Sequence, residues 1–534
     1  MSGTMMDVPL TLERIVERAE GLFRNVEVVS RRADKSLHRT TWGEIMGRAR
    51  KLARALVAAG LKPGDRVATL SWNHAAHLEA YFGIPLAGGV CHTLNLRLHP
   101  DDVAFIAEDA KDRFLLLDET LVPLCDKFQR KDLFERIFVI NASGPVAAPR
   151  EDYEKLLESA PANVELPKLA ESDALGCCYT SGTTGKPKGV VYTHKSTLLH
   201  ALVTALPDSL HLAHADTLLP VVPMFHVNAW GLPYACAMTG TKMVMPGPHL
   251  DPASLLELME HEKVTIAAGV PTIWLGIREA LDAKPGQYKL QPGLRMVVGG
   301  SAAPEQLIRD FDRLGMTLLH AWGMTETSPV GTVSRVPPEL ASASDDEKYK
   351  SRARQGIPVP LVDIRVRNEQ GDVPADAKTS GELLIRGPWI ASRYSSQTDP
   401  ARWTADGFFR TGDVANIDSR GCIQLVDRVS DLIKSGGEWI SSVAVENALM
   451  GHPNVREAAV VGAPHPKWGE RPIAVVVLKP GANATAEELR NHLAPHFAKY
   501  WLPDAFVFTD QIPRTSAGKF KKTELRERFK NHAW

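Results

Sequence analysis

The chain has 534 residues, of which 44% are hydrophobic and 23% charged, and its formal net charge is −1. At roughly 100–200 residues per domain, this length predicts several domains, and the composition excludes a chain that is disordered throughout. The balanced charge argues against a nucleic-acid partner held by bulk electrostatics.

The sequence shows no targeting or membrane-spanning signal. Apolar runs such as 474–478 are far shorter than the roughly 20 residues that a transmembrane helix needs. The first ten residues lack the basic and then apolar order of a signal peptide. The six cysteines have no metal-binding spacing and no disulfide framework, which is typical of a reducing compartment. We therefore expect a cytoplasmic protein.

Helical and strand patterns alternate along most of the chain. An amphipathic helix is predicted from Glu44 to Gly60, and strands are predicted at 66–70, 113–117, 136–140 and 295–298. This alternation predicts an α/β fold with largely parallel sheets flanked by helices.

The pattern changes after about Gly356. Residues 362–423 are rich in strands and turns, including a strand at 381–387. Beyond the charged segment 427–432 we expect a small α+β unit with strands near 458–461 and 473–478 and a helix from Ala486. This predicts a large multi-subdomain N-terminal domain (1–426), a linker (427–432) and a C-terminal domain (433–534). An ordinary surface turn at 427–432 is the alternative.

The segment from Thr180 to Gly189 carries the most chemical information. Its glycines permit close approach of the backbone to a ligand, and its hydroxyls and two lysines suit a polyphosphate. It is not a Walker A loop, because Pro187 follows Gly185-Lys186 where Ser or Thr would be required. The alternative is a flexible polar surface loop.

This segment resembles the phosphate-binding signature of the adenylate-forming superfamily, which includes acyl-CoA synthetases, peptide-synthetase adenylation domains and beetle luciferases. Further segments match that family's motifs in the same order, at 224–230, 299–304, 323–327, 409–413, 427–442 and 513–519. In detail the chain is most similar to bacterial medium- and long-chain fatty-acyl-CoA synthetases. The resemblance implies an AMP-forming acid–thiol ligase that uses ATP, Mg²⁺ and coenzyme A.

The family's roles can be assigned residue by residue. The resemblance assigns ATP or AMP binding to Thr180, Ser181, Gly182, Thr183, Thr184, Gly185, Lys188, Gly300, Ser301, Ala302, Ala321, Trp322, Gly323, Met324, Thr325, Asp413, Arg428 and Lys434. Within this set Asp413 would bind both ribose hydroxyls, and Thr325 would contact the α-phosphate. Mg²⁺ would be held at Glu326 and Thr184, which are also assigned to catalysis.

Two lysines complete the implied catalytic set. Lys519, in a polar segment near the chain end, would bridge the acyl carboxylate and the α-phosphate during adenylation, and Lys434 would lie near the phosphate or adenylate oxygens. Trp322 departs from the family's usual Tyr at this position, although its flat ring can still stack on adenine. A Trp that packs in the core without touching a ligand is the alternative.

The acyl and CoA sites are also implied by the resemblance. Acyl binding is assigned to His226, Val227, Trp230, Gly299, Gly300 and Trp439, and CoA binding to Gly436, Gly437, Glu438 and Trp439. The C-terminal domain would be mobile and rotate at 427–432 between the two half-reactions. Ser430 stands where relatives often have Asp or Lys, which leaves the pivot residue open.

The expected substrate is a medium- or long-chain fatty acid, and the expected assembly is a homodimer. The alternative substrate is a short or aryl acid, such as 3-methylmercaptopropionate. An oxidative luciferase-like enzyme, a non-catalytic paralogue and an adenylation domain serving a carrier protein are less favoured. Lys519, Glu326 and Asp413 are all present, and no feature of the sequence indicates oxygen chemistry or a carrier module.

Overall fold

The structure is a computed structural model that describes residues 3–130, 132–141, 143–180, 186–396, 399–436, 438–515 and 519–534. Helices and strands are named below in chain order within these ranges. The helices are α1 (Glu13–Leu22), α2 (Trp42–Ala58), α3 (Ala75–Leu86), α4 (Pro100–Ala110), α5 (Val122–Phe128), α6 (Tyr153–Glu158), α7 (His194–Ala205), α8 (Val227–Trp230), α9 (Leu232–Thr239), α10 (Pro252–His261), α11 (Pro271–Ala283), α12 (Glu305–Arg313), α13 (Asp345–Ala353), α14 (Ser442–Met450), α15 (Ala486–Leu493) and α16 (Lys522–Phe529).

The strands belong to four sheets. They are β1 (Glu27–Arg31), β2 (Leu37–Thr41), β3 (Arg66–Leu70), β4 (Val90–Thr93), β5 (Asp112–Asp118), β6 (Arg136–Ile140), β7 (Glu151–Asp152), β8 (Ala174–Tyr179), β9 (Gly189–Thr193), β10 (Thr217–Pro220), β11 (Lys242–Met245), β12 (Ile266–Gly269), β13 (Arg295–Val298), β14 (Thr317–Gly323), β15 (Val330–Val333), β16 (Ile357–Pro358), β17 (Asp363–Asn368), β18 (Gly371–Asp372), β19 (Gly381–Arg386), β20 (Phe409–Ile417), β21 (Ile423–Arg428), β22 (Ile433–Ser435), β23 (Glu438–Ile440), β24 (Val455–His465), β25 (Gly469–Leu478) and β26 (Ala505–Phe508).

Two large sheets are mainly parallel, which confirms the α/β prediction. One has the strand order β7-β6-β5-β3-β4-β8-β9, and the other has β16-β15-β14-β13-β12-β10-β11-β1-β2. Antiparallel pairs occur at β8–β9 in the first sheet and at β1–β2, β14–β15 and β15–β16 in the second. Interior strands such as β4 and β12 are buried along their whole length, as expected for parallel strands covered by helices on both faces.

The helix predicted from Glu44 begins two residues earlier, at Trp42. Thr41 forms a capping box, because its hydroxyl accepts from the Glu44 N–H while the Glu44 carboxylate accepts from the Thr41 N–H. Glu44 is therefore the third residue of the helix and not the first. The other predicted strands and the helix from Ala486 are confirmed within a few residues at their ends.

The remaining two sheets follow the change of pattern after Gly356. An antiparallel sheet has the order β18-β17-β19-β20-β21, and the C-terminal sheet has β23-β22-β25-β24 with β26 beside β25. The buried clusters of residues 433–529 share no member with the clusters formed before residue 426. The boundary predicted at 427–432 falls between these two groups of cores.

The N-terminal and C-terminal parts of the chain contact each other, and the linker between them contacts the C-terminal part. Arg456 on β24 forms an ion pair with Glu279 on α11, with Nε and Oε1 3.2 Å apart. Within the linker, the Asp427 carboxylate accepts a hydrogen bond from the Ser442 N–H, and Asp431 pairs with Arg526 on α16. None of the helices in the described ranges combines the length and the apolar character that crossing a bilayer requires.

Candidate active site

A cavity of about 510 Å³ lies where the carboxyl ends of parallel strands meet the antiparallel sheet and the C-terminal unit. β13 ends at Val298 and is followed by Gly299-Gly300, and β14 ends at Gly323 and is followed by Met324 to Glu326. Ligands bind at this edge of open α/β sheets, because the loops that follow neighbouring parallel strands converge there. Thr411 and Gly412 on β20 complete another wall.

The cavity is rich in cations. Its described lining includes Lys186, Lys188, Arg402, Arg428 and Lys519, whereas its lining carboxylates are Glu326 and Asp399. An excess of fixed positive charge in a concave site attracts and binds anions. This electrostatic pattern suits a polyphosphate, as the glycine- and hydroxyl-rich segment at 180–189 predicts.

The described ends of the phosphate segment lie at this cavity. The Thr180 N–H donates to the Lys188 carbonyl at 2.9 Å, and the Lys188 N–H donates to the Thr180 hydroxyl at 3.1 Å. Lys188 Nζ pairs with Asp399 at 2.8 Å and lies 4.9 Å from the centre of the Tyr394 ring. The predicted ligands Ser181, Gly182, Thr183, Thr184 and Gly185 lie outside the described residues.

Glu326 is a buried carboxylate of the cavity wall. It is 4% exposed, and its Oε1 accepts a hydrogen bond of 2.7 Å from the Tyr394 hydroxyl. No described lysine or arginine forms an ion pair with it. Because its one side-chain hydrogen bond among the described residues comes from a neutral donor, this buried carboxylate would be stabilised further by a bound cation. Glu326 and the oxygens of a bound phosphate form a donor set that suits Mg²⁺.

Asp413 is held rigidly on β20. It is 4% exposed, its Oδ2 accepts a hydrogen bond of 3.0 Å from the Trp322 indole N–H, and its Oδ1 lies 3.2 Å from Arg428 Nε. Asp413, and more weakly other nearby carboxylates, raise the pKa of Arg428 against the effect of burial. Trp at position 322 thus supplies a donor that orients this carboxylate, a role that sequence reasoning did not assign to it.

Several of the predicted nucleotide ligands line a second, adjoining cavity of about 250 Å³. Ser301 and Ala302 line it, together with Asp413. Predicted nucleotide ligands that line both cavities are Gly300, Ala321, Trp322, Gly323 and Arg428. The structure therefore brings these residues together between the N-terminal sheets and the C-terminal unit.

The wall that contains the predicted acyl residues Val227 and Trp230 is a left-handed turn. Residues Val227, Asn228, Ala229 and Trp230 have φ between 40° and 58°, a conformation that costs roughly 1–2 kcal/mol per residue. The turn is held partly by Asn228, whose Oδ1 accepts a hydrogen bond of 2.8 Å from the Cys178 thiol. A side chain at Gly299 would approach the Trp230 ring to 3.1 Å, so glycine there allows the ring to close the wall.

His226 faces the cavity in its neutral form. Burial, followed by the charges of Lys519 and Arg97, lowers the pKa of His226 to about 4. At neutral pH the imidazole therefore carries no charge to pair with an acid's carboxylate. Lys519 is a cation that lines the cavity near this imidazole.

Lys519 reaches the cavity from the C-terminal unit. Its Cε lies 3.9 Å from the position that a Cβ would occupy on Gly300, and its backbone forms hydrogen bonds with Thr515 in both directions. Burial and the nearby Arg428 lower the pKa of Lys519 to about 8, against the opposite effect of Asp413 and Glu326. The structure thus brings Lys519 to the same cavities as the predicted nucleotide ligands Gly300 and Arg428.

The described members of the predicted CoA set, Gly436, Glu438 and Trp439, do not line either cavity. Trp439 is 52% exposed, and Lys434 Nζ lies 5.4 Å from the centre of its ring. Gly436 packs against Trp468 and Glu438 is exposed, while Gly437 lies outside the described residues. Of the predicted acyl residues, Trp439 is thus the one that lies apart from His226, Val227, Trp230, Gly299 and Gly300.

Sequence reasoning missed several residues of the lining. They are Tyr394, Asp399, Arg402, Thr411 and Gly412. The first three lie in the irregular segment between β19 and β20, where no periodicity or spacing marks a ligand. Thr411 and Gly412 lie in a motif that the sequence does identify, directly before Asp413.

Comparison with known proteins defines the class. Residues 17–395 match the model of the AMP-binding enzyme family, and residues 444–519 match the model of the AMP-binding enzyme C-terminal domain. The chain belongs to the family of AMP-binding enzymes, which confirms the resemblance recognised from the motifs.

Individual relatives cover the chain almost completely. The long-chain-fatty-acid–CoA ligase of Thermus thermophilus is 50% identical over 99% of this chain and 97% of its own length. The 3-methylmercaptopropionyl-CoA ligase of Ruegeria lacuscaerulensis is 42% identical over 99% of both chains. The crystal structure of the anthranilate CoA ligase AuaEII with anthranoyl-AMP matches the fold with a TM-score of 0.86 at 23% identity, over 99% of each chain.

Proposed function

We propose that this protein is an AMP-forming acyl-CoA synthetase that acts on a medium- or long-chain fatty acid. It activates the acid with ATP as an acyl-adenylate, releases pyrophosphate, and transfers the acyl group to the thiol of coenzyme A. The observation that carries this proposal is the position of Lys519, which lines one cavity with Glu326 and the adjoining cavity with Asp413, although the lysine comes from a different part of the chain. The 50% identity to a long-chain-fatty-acid–CoA ligase supports it.

In the first half-reaction, a carboxylate oxygen attacks the α-phosphorus of ATP. Two anions must approach one another, so cations fixed beforehand lower the barrier most effectively. Lys519 neutralises the carboxylate and the α-phosphate, while Asp413 positions the ribose. Glu326, with Thr184, would hold Mg²⁺, which supplies charge neutralisation at the phosphates when bound.

In the second half-reaction, the CoA thiol attacks the acyl carbonyl and AMP leaves. Lys434, Gly436, Glu438 and Trp439 lie outside the cavity when Lys519 lies inside it. A rotation of the C-terminal domain (433–534) at the linker 427–432 would withdraw Lys519 from the cavity and bring the segment 434–439 to it. Within this linker, Asp427 and Asp431 contact Ser442 and Arg526 of the C-terminal unit, and the pivot residue stays open.

The acid is tested by a ligation screen. The enzyme is incubated with ATP, Mg²⁺, CoA and saturated acids of graded length, with aryl and thioether acids included, and AMP release is measured. We expect the highest kcat/KM for a medium or long chain, because each buried CH₂ contributes about 0.8 kcal/mol. No AMP release with any acid would contradict the proposal.

A short thioether acid is the second candidate substrate. The specific observation in its favour is the 42% identity to a 3-methylmercaptopropionyl-CoA ligase over the full chain. A kcat/KM for 3-methylmercaptopropionate above that for every fatty acid in the screen would establish it.

The role of Trp439 is tested by separating the half-reactions. Because its ring lies outside the cavity beside Lys434, we expect Trp439→Ala to raise the KM for CoA several-fold and to leave acid-dependent pyrophosphate exchange unchanged. Trp534→Ala, which removes another exposed tryptophan of the same domain, is the control. A changed chain-length profile in the exchange reaction would instead assign Trp439 to the acyl-binding site.

The charge of Lys519 predicts a pH dependence. Because burial lowers the pKa of Lys519 to about 8, the ammonium is lost as the pH rises through that value. We expect kcat/KM for ATP in the adenylation step to fall as this ammonium is lost, since kcat/KM reports the pKa values of the free enzyme. Thioester formation from supplied acyl-adenylate should show no such fall. An adenylation profile that stays level well above this pH would contradict the assignment.

Assembly and location stay predictions. The six cysteines are all buried and unpaired, which fits a reducing compartment such as the cytoplasm. A homodimer is expected from the resemblance alone and is tested by light scattering of the full chain.

A further inference from the structure

Arg402 is a cation of the cavity that is not balanced by a carboxylate among the described residues. It ends the short turn Pro400–Arg402 between β19 and β20, and its side chain lines the cavity. Two neighbouring cations differ from it, because Lys188 is paired with Asp399 and Arg428 with Asp413. Arg402 thus adds net positive charge to this part of the wall.

The hydrogen-bonding capacity of Arg402 is also largely unused by the protein. Its Nε is buried and has no partner among the described residues, and its Nη2 lies 3.5 Å from the Thr411 carbonyl, at the limit of a hydrogen bond. The guanidinium carries five donors in a planar fork that matches phosphate oxygens. The Phe409 ring, whose centre is 5.0 Å away, supports one face of the fork.

The surroundings of Arg402 place it between two parts of the nucleotide site. A Cβ on Gly412, next to Asp413, would lie 3.4 Å from Arg402 Nη1. On the other side, the positive charge of Arg402 acts on the Tyr394 hydroxyl and opposes the upward shift of its pKa that burial and Glu326 cause. The Tyr394 ring in turn carries Lys188 on its face. Arg402 therefore lies between the ribose carboxylate and the lysine of the phosphate segment.

We propose that Arg402 binds the β- and γ-phosphates of ATP and stabilises pyrophosphate as it leaves. This inference rests on the proposed adenylation. In that step a bond forms from the acid's oxygen to the α-phosphorus, and the bond from the α-phosphorus to the bridging oxygen breaks. The electron pair remains on that oxygen, so pyrophosphate gains negative charge. Charged donors at this place therefore bind the phosphates more strongly in the transition state, where this negative charge develops, than in the ground state.

The test compares three probes in equilibrium binding to the full-length protein with Mg²⁺: ATP, inorganic pyrophosphate and AMP. Arg402→Met keeps the length of the side chain and removes its charge. We expect Arg402→Met to weaken the binding of ATP and of pyrophosphate about 10- to 100-fold, as the loss of a charge-assisted hydrogen bond does. The affinity for AMP should fall less than about twofold. Arg402→Lys should restore part of the loss, and Arg393→Met, an exposed arginine of the same segment, should bind all three as the wild type does.

Each other outcome counts against the inference. An equal loss for ATP and AMP would mean that Arg402 only supports the wall around Asp413, and unchanged affinities would mean that it does not touch the phosphates. Thermal unfolding of Arg402→Met and Arg402→Lys, compared with the wild type, distinguishes a folding defect from a binding defect. If the wild type itself binds neither ATP nor AMP, the proposed function fails before Arg402 is tested.

Discussion

Lys519→Ala is expected to reduce acid-dependent exchange of pyrophosphate into ATP by about 100- to 1,000-fold, as the loss of a preorganised charged donor typically does. Lys519 lines the cavity as a cation near His226, whose own imidazole is neutral because burial lowers its pKa. The formation of acyl-CoA from supplied acyl-adenylate should remain near the wild-type rate, since CoA attack on the adenylate does not require this ammonium.

The control for this prediction is Lys530→Ala. Lys530 lies in the same C-terminal unit with 63% of its side chain exposed, so both half-reactions should be unaffected. Equal losses of Lys519→Ala in the two assays would contradict the assignment of this lysine to adenylation alone. Thermal unfolding of both variants would exclude a general defect in folding.

Asp413→Asn is expected to raise the KM for ATP on the order of 100-fold. The ionised carboxylate can accept from both ribose hydroxyls, and each hydrogen bond to a charged group contributes about 1.5–3 kcal/mol. Asparagine keeps the volume but loses the charge that Arg428 faces at 3.2 Å, and its amide offers one acceptor where Trp322 already donates. Exchange kinetics over a range of ATP concentrations measure the effect.

The nucleotide itself provides a sharper control for Asp413. With 2′,3′-dideoxy-ATP the wild type should lose about as much affinity as the substitution costs, whereas Asp413→Asn should respond little to the missing hydroxyls. Asp406→Asn, at an exposed position of the same antiparallel sheet region, should bind both nucleotides as the wild type does. Equal losses of the wild type and Asp413→Asn with the dideoxy nucleotide would show that Asp413 does not touch the ribose.

The fold was predictable wherever the spacing of hydrophobic residues along the chain matches the set of residues that the folded protein buries. The strand at 136–140 and the helix from Ala486 were found because period and turn residues agree with the final packing. The start of α2 was misplaced because Thr41 and Glu44 cap it reciprocally, and this contact was not used in the prediction. Side chains of the irregular segment that contains Tyr394 and Arg402 had no such signal.

The sequence by itself determined the class of chemistry, because each motif is a short run of neighbouring residues and the motifs occur in the family's order. Only the tertiary structure decided how distant segments come together. It shows that Lys519 lies beside Gly300, that Trp322 donates to Asp413, and that Arg402 Nε has no hydrogen-bond partner in the part of the chain that the structure describes. The physical reason is that charge balance and burial depend on neighbours brought together by folding, and a linear pattern records only the neighbours that the chain itself connects.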